Sequence, residues 1–110
     1  MAEPMRLRAQ LNGDKTTVRV LMRHDMETGQ RKDPAGKTIP AWFIQDVVAS
    51  HNGKVVLSAQ WGPSVSKDPF LQFTLKGAKV GDKVSVSWTD NRGDKRADET
   101  AVVPAEARPA

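Results

Sequence analysis

The side chains that could perform chemistry are few in this 110-residue chain and are scattered along it. The chain contains no cysteine, so no thiolate is present to act as a nucleophile or to bind a metal. Neither a neighbouring histidine nor an elbow-type turn accompanies Ser58, Ser64, Ser66, Ser85 or Ser87. Because no nucleophile–base pair emerges, the sequence predicts a binding protein that is not an enzyme, with no catalytic residue and no cofactor.

The best metal-site candidate begins at His24, with Asp25 and Glu27 directly after it. A structural or catalytic zinc site needs three or four convergent ligands. The second histidine, His51, is predicted beside a hairpin tip in a separate strand. We therefore interpret His24 as a solvated strand end and expect no metal.

The tripeptide Gly36-Lys37-Thr38 resembles the end of a phosphate-binding P-loop. The P-loop spacing requires glycine where Arg31 stands, Pro34 interrupts the loop, and the residues that follow predict a strand. Without a helix N-terminus the phosphate would lack its ring of free amides. The sequence therefore argues against nucleotide binding.

The formal net charge of +4 is modestly basic. Lysine and arginine neutralise phosphates, so a small basic β-domain that binds nucleic acid or another anionic ligand is one hypothesis. The basic residues are interleaved with acidic ones, however, and no aromatic stacking platform is evident. The alternative is an ordinary solvated surface, or one that meets an acidic protein.

A period of two in apolar and polar residues recurs throughout the chain, whereas a helical period is hard to find. Seven candidate strands cover residues 5–11, 16–23, 41–51, 54–61, 70–76, 83–89 and 95–103. Short strands at this density predict an all-β fold, an immunoglobulin-like antiparallel β-sandwich. We expect one domain over residues 1–103 and a flexible C-terminal tail over residues 104–110.

Asn52-Gly53 is the strongest turn signal, typical of a two-residue hairpin that sets His51 opposite Lys54. Strict alternation from that turn places Ile44, Val48 and Ser50 on the core side. The apolar residues left on the other side are Phe43, Val47, Ala49 and Val56. They form either a partner-binding surface or a surface that a loop of the same chain covers.

A first hairpin, closed by residues 12–15, predicts pairing of Leu7 with Val20 and of Ala9 with Val18. The same register sets Arg8 opposite Arg19 on the outer side. Like charges in opposed positions are unfavourable unless water or an acidic group covers them. A solvated edge and an acidic partner surface are both compatible with this pattern.

The link over residues 24–40 is long for a compact domain and contains no helical pattern. Its glycines and prolines predict defined turns, and Met26 provides an apolar anchor. Loops on rigid sandwiches commonly carry recognition. We therefore predict partner binding by Met26, Arg31, Lys32 and Lys37, the last three as a basic docking surface.

Two blocks of sequence match a known family. METGQRKD at residues 26–33 continues through residues 36–37 and 39–44, and SAQWGPSVS at residues 58–66 is followed by Pro69-Phe70. The turn at residues 52–54 and the region 83–95 fit as well. Over roughly residues 4–103, the chain resembles the SoxZ family.

This resemblance implies a non-catalytic subunit of the SoxYZ sulfur carrier in thiosulfate oxidation. A cysteine on the arm of SoxY holds the sulfur intermediate, while the SoxZ-like subunit carries none and supports docking to Sox enzymes. The expected partners are thus SoxY in a heterodimer and, transiently, other Sox enzymes, with no nucleic acid and no membrane.

The N-terminal residues contain no apolar stretch like that of a signal peptide, and taken alone the chain predicts a cytoplasmic protein. The resemblance implies a different location, because SoxZ-like subunits are thought to be exported folded with a partner that bears the signal. We therefore expect the periplasm.

Overall fold

The computed structural model describes residues 3–104, which are organised around seven β-strands. The strands are β1 (Arg6–Asn12), β2 (Lys15–Leu21), β3 (Ile44–His51), β4 (Lys54–Gln60), β5 (Phe70–Lys76), β6 (Lys83–Asp90) and β7 (Lys95–Pro104). The all-β prediction is confirmed, and each strand overlaps its predicted span, although β3 begins at Ile44 and not at residue 41. The predicted tail begins at Pro104, which ends β7, and its other residues lie outside the described range. No helix within residues 3–104 is long and apolar enough to cross a membrane.

The strands follow the order β4-β3-β6-β7-β1-β2-β5 in a mixed sheet that curls into a half-barrel, consistent with an immunoglobulin-like sandwich. Neighbouring strands are antiparallel except β1 and β7, which run parallel, so the antiparallel prediction is corrected at that pair. The curl brings both halves of the sheet around one core. Its central residues are Val18, Val20, Val84, Val86 and Trp88.

The β1–β2 hairpin has the predicted register. Leu7 pairs with Val20, Ala9 with Val18 and Arg8 with Arg19. The loop is shorter than predicted, because Asn12 and Lys15 themselves pair and leave only two residues in the turn. Gly13 takes φ = 66°, a left-handed conformation that glycine adopts without a steric penalty.

The β3–β4 hairpin keeps the predicted register only next to its turn. His51 pairs with Lys54 and Ser50 with Val55, but a bulge then shifts the register, so that Ala49 pairs with Leu57. A second irregularity lies between Ile44 and Asp46 where β3 pairs with β6. A bulge adds one residue to a strand and therefore changes which face the following side chains occupy.

The extra residue at Gln45 of β3 explains why two residues predicted on the surface lie in the core, because Ile44 and Val47 then share the inner face. Val47 and Ala49 are both 0% exposed, so their placement on the outer face was wrong. Asp46 already indicated that the predicted alternation was wrong, because strict alternation from the turn put its carboxylate on the core side. In the structure Asp46 is exposed, and Ile44 and Val47 are both buried although three positions separate them.

Replacement of Val47 by aspartate should unfold the domain, because the new carboxylate would be buried without a partner. We expect a loss of about 3–5 kcal/mol in the free energy of unfolding, measured by urea denaturation. Val55→Asp is the control, since Val55 is 57% exposed on the neighbouring strand and the change there should cost less than about 1 kcal/mol. A Val47→Asp protein with the wild-type midpoint would contradict the assignment of Val47 to the core.

Candidate partner-binding surface

The residues predicted to bind a partner do not form one surface. Val47 and Ala49 are core residues, and Met26 is buried as well, so none of the three is available to a partner. Phe43 is half-buried and lies near Trp61 at one end of the β3–β4 ribbon. Val56 is 39% exposed at the other end, close to the hairpin turn.

On the β3–β4 ribbon, the exposed large apolar side chains belong to β4. Val55 lies next to Val56 and is the more exposed of the two, although it was not among the residues predicted to bind a partner. Within residues 3–104, β4 pairs with β3 alone and forms one edge of the sheet. We call this strand with Val55 and Val56 the β4 edge.

The long link is an ordered hairpin. Glu27 and Trp42 exchange backbone hydrogen bonds, with N···O distances of 2.6 and 3.0 Å, and Lys32 forms an isolated bridge with Thr38. At its tip, the Asp33 carboxylate accepts hydrogen bonds from the amides of Ala35 and Lys37. The predicted turns are thus present. Because they are internally bonded, the tip presents its side chains from a defined backbone.

Three basic residues of this hairpin are exposed, as predicted, and we call Arg31, Lys32 and Lys37 the loop surface. Arg31 is partly neutralised, because its guanidinium forms two hydrogen bonds with Glu27 at 3.0 and 2.6 Å. Neither Lys32 nor Lys37 forms a salt bridge within the described residues. The positive charge of the loop surface is therefore carried mainly by the two lysines.

Met26 anchors the hairpin from below, as its apolar side chain suggested. Its side chain is buried, and its sulfur accepts a hydrogen bond from the amide of Ile44 at 3.3 Å. Met26 therefore positions the loop surface without belonging to it.

The long hairpin is also attached to the sheet by a buried hydrogen-bond network around Asp90, at the end of β6. One carboxylate oxygen of Asp90 accepts from His24 Nε2 at 3.0 Å and from Trp42 Nε1 at 2.7 Å. The other oxygen accepts from the backbone amides of Arg92 and Asp94, both at 2.9 Å. This single carboxylate therefore joins both ends of the long hairpin to the β6–β7 turn.

His24 is buried in this network, so its assignment to a solvated strand end was wrong. Its Nδ1 accepts the amide proton of Met26 at 3.0 Å, which places the ring proton on Nε2, where it is donated to Asp90. The imidazole also packs edge-on against Trp88, with ring centroids 5.2 Å apart. No sequence pattern connects His24 with a carboxylate 66 positions away.

Aromatic contacts close the network from outside. Trp42 packs against the ring of His24 with centroids 4.9 Å apart, and the guanidinium of Arg92 lies 4.3 Å from the centre of the Trp42 ring. A cation in this position is attracted by the face of the ring.

Asp90 is ionised in the folded protein. Burial raises the pKa of its carboxyl, but the hydrogen bonds from His24, Trp42 and two backbone amides outweigh burial and hold the pKa below its usual range. The carboxylate therefore stabilises the fold above the unfolded pKa, near 4, and the contribution is lost as the pH falls through the lower folded pKa.

A cavity of about 260 Å³ opens beside the network. Its charged lining includes Arg23 and Lys67 together with Asp25, Asp68 and Asp94. Arg23 and Asp68 lie 3.9 Å apart and partly compensate each other. With both signs of charge present, this cavity favours no single class of ligand.

The arrangement has the properties of a scaffold. Both ring nitrogens of His24 are engaged in hydrogen bonds, so neither is free to accept a substrate proton. Among residues 3–104, no three histidine or carboxylate side chains are grouped so that they could hold a metal ion. The β4 edge and the loop surface are both exposed.

Comparison with known proteins is consistent with this description. Residues 5–101 match the family described as Sulphur oxidation protein SoxZ, which is nearly the whole described range. The chain belongs to the SoxZ family. A comparison with curated proteins finds no match to this chain. The region that matches SoxZ contains both halves of the Asp90 network: the hairpin with His24 and Trp42, and the end of β6.

The second histidine of this SoxZ chain forms a similar contact at the far end of the sheet. His51 Nε2 lies 2.7 Å from a carboxylate oxygen of Asp82, and the amide of Lys79 donates to the same oxygen at 2.9 Å. Hydrogen bonds from Lys79 and His51 lower the pKa of Asp82 to about 2. The contact ties the β3–β4 hairpin to the loop before β6.

Asp90→Asn should destabilise the domain by about 3 kcal/mol or more in urea denaturation. The amide oxygen could still accept from Arg92 and Asp94, but the new NH₂ group would face the donors of His24 and Trp42. Asp33→Asn is the matched control, because Asp33 also accepts two backbone amides but sits in an exposed turn. That change should cost less than about 1 kcal/mol. Equal losses in the two variants would argue against a special role for Asp90.

Asp82 should give the fold a measurable acid dependence. Its folded pKa of about 2 lies below the ordinary value of 3.8, so ionised Asp82 contributes stability at neutral pH. The wild-type advantage over Asp82→Asn should therefore shrink as the pH falls from about 4 to about 2. Urea midpoints of both proteins across this range measure the difference. A constant difference would contradict the lowered pKa.

Proposed function

We propose that this chain is the non-catalytic subunit of a SoxYZ sulfur carrier and pairs with SoxY in thiosulfate oxidation. The observation that carries the proposal is membership of the SoxZ family in a chain without cysteine. Reversible sulfur transfer depends on a thiolate, so the sulfur intermediate requires a different chain. This subunit then supplies a rigid partner surface and a docking surface.

The β4 edge is the surface proposed to pair with SoxY. An edge strand exposes backbone donors and acceptors that another chain can complete, and exposed apolar side chains beside them favour burial. Val55 and Val56 provide such side chains on this strand. Phe43, at the other end of the β3–β4 ribbon, extends the same proposed surface.

The loop surface is proposed to dock the heterodimer on other Sox enzymes. Lys32 and Lys37 are exposed on a hairpin that internal hydrogen bonds and the Asp90 network hold in place. Exposed charges of one sign speed the encounter with an oppositely charged protein and make it sensitive to salt. The proposed location is the periplasm, reached as a folded complex with a partner that bears the export signal.

The carrier role predicts where sulfur is found. When the chain is co-expressed with its SoxY, the two should co-purify from the periplasm, and intact-mass analysis should place every sulfur adduct on SoxY. The tagged chain expressed alone should remain in the cytoplasm. An adduct on this chain, or its export without the partner, would overturn the proposal.

Two sets of substitutions test the two proposed surfaces independently in one experiment. Val56→Asp should weaken pairing with SoxY without unfolding the domain, whereas Val80→Asp, at an exposed valine outside the strands, should leave pairing unchanged. Lys32→Glu combined with Lys37→Glu should leave pairing intact and slow turnover with Sox enzymes. Normal pairing of the Val56 variant would remove the β4 edge from the interface, and unchanged turnover of the lysine variant would remove the loop surface.

A further inference from the structure

The outward face of β1, β2 and β5 is positively charged and contains no acidic residue. Its cationic side chains are Arg6, Arg8, Lys15, Arg19 and Lys76, all exposed. The remaining outward positions of these strands are polar or apolar, whereas the outward residues of β6 and β7 include Glu99 as well as Lys83 and Lys95. Positive charge is therefore concentrated on one half of the sheet.

The arginines at the centre of this face lack carboxylate partners within residues 3–104, and we call Arg6, Arg8 and Arg19 the arginine face. Arg8 and Arg19 are directly opposed across β1 and β2, where like charges repel. The guanidinium of Arg19 donates to the amide oxygen of Gln72, at 3.2 Å.

Three arginines elsewhere in the described residues are paired with carboxylates, whereas Arg92 lies over the ring of Trp42. The described residues contain salt bridges from Arg23 to Asp68, from Arg31 to Glu27 and from Arg96 to Asp98. The uncompensated charge on the arginine face is therefore a local property of these strands. It does not simply reflect a basic composition.

Apolar surface borders the arginines. Phe70 is 59% exposed on the edge strand β5, and Leu21 lies between Phe70 and Arg6 in one cross-strand row. These residues and the arginines line a shallow depression of about 230 Å³. This volume is smaller than the roughly 300–1,000 Å³ of typical small-molecule pockets, which favours side chains of a protein as the occupant.

We propose that the arginine face binds an extended acidic segment of a protein partner, with carboxylates at alternating positions and an apolar side chain placed on Phe70. Alternate residues of β1, such as Arg6 and Arg8, lie about 7 Å apart on the same face. Alternate carboxylates of an extended segment have the same spacing, so each can reach one guanidinium in a charge-assisted hydrogen bond. The acidic segment would also remove the repulsion between Arg8 and Arg19.

The composition of the face favours protein over nucleic acid. Single-stranded nucleic acid is usually held by several aromatic side chains that stack on successive bases. On the outward positions of β1, β2 and β5, Phe70 is the only aromatic residue. The proposal is also independent of pairing with SoxY through the β4 edge, since β4 and β5 lie at opposite ends of the strand order.

The test uses the full-length chain and a fluorescent peptide with glutamate at alternating positions, threonine between them and one terminal leucine. Anisotropy at low ionic strength should show saturable binding, and the same peptide with glutamine in place of glutamate should not bind. Arg8→Gln with Arg19→Gln should weaken binding about tenfold, as expected for the loss of two exposed ion pairs. Phe70→Ala should weaken it further.

The matched control is Lys83→Gln with Lys95→Gln, which removes the same charge from the outward residues of β6 and β7 and should change the affinity less than about twofold. Equal weakening by the two double variants would overturn the proposal, because the attraction would then be general. Absence of binding to the glutamate peptide would also overturn it. Tighter, arginine-dependent binding of a thymidine oligonucleotide would reassign the face to nucleic acid.

Discussion

The structure depends on one buried carboxylate. Asp90 accepts four hydrogen bonds, two from the β6–β7 turn and two from the side chains of His24 and Trp42. A buried carboxylate without hydrogen-bond partners would strongly destabilise the fold, so the donors around Asp90 are as necessary as the carboxylate itself. The long hairpin between β2 and β3 has no sheet of its own to join. Its position over the end of the sheet follows from this network, from the aromatic contacts around it and from the anchor at Met26.

A second constraint comes from the irregularity of β3 at Gln45. An unbroken strand that buried Ile44 would also direct Val48 and Ser50 inward and leave Val47 and Ala49 outside. The extra residue Gln45 lets Ile44, Val47 and Ala49 share the inner face and complete the core. The other irregularity leaves Val56 of the edge strand β4 without an opposite residue on β3.

Together these features give a chain with distinct exposed surfaces. The β4 edge is apolar, the loop surface is basic and rigidly held, and the arginine face is positively charged at the opposite end of the sheet. As a member of the SoxZ family the chain has a role in the Sox sulfur-oxidation system, and the role proposed for a chain without cysteine is to bring other proteins together. Separate surfaces of different polarity allow several partners to be discriminated, since apolar burial sustains a stable complex and exposed charge favours transient encounters.

The sequence by itself determined the seven strands, the register of the β1–β2 hairpin and, through two blocks of motif, the family. The strands and this register depend on local alternation and turn chemistry, both of which are determined by residues close together in the sequence. It also placed Lys32 and Lys37 on an exposed turn-rich loop. Only the tertiary structure decided that Val47 and Ala49 are buried, because the extra residue in β3 depends on its pairing with β6, which lies more than 30 residues away in the chain. The pairing of His24 with Asp90 was likewise decided only there, since residues far apart in the chain meet when the whole sheet has curled.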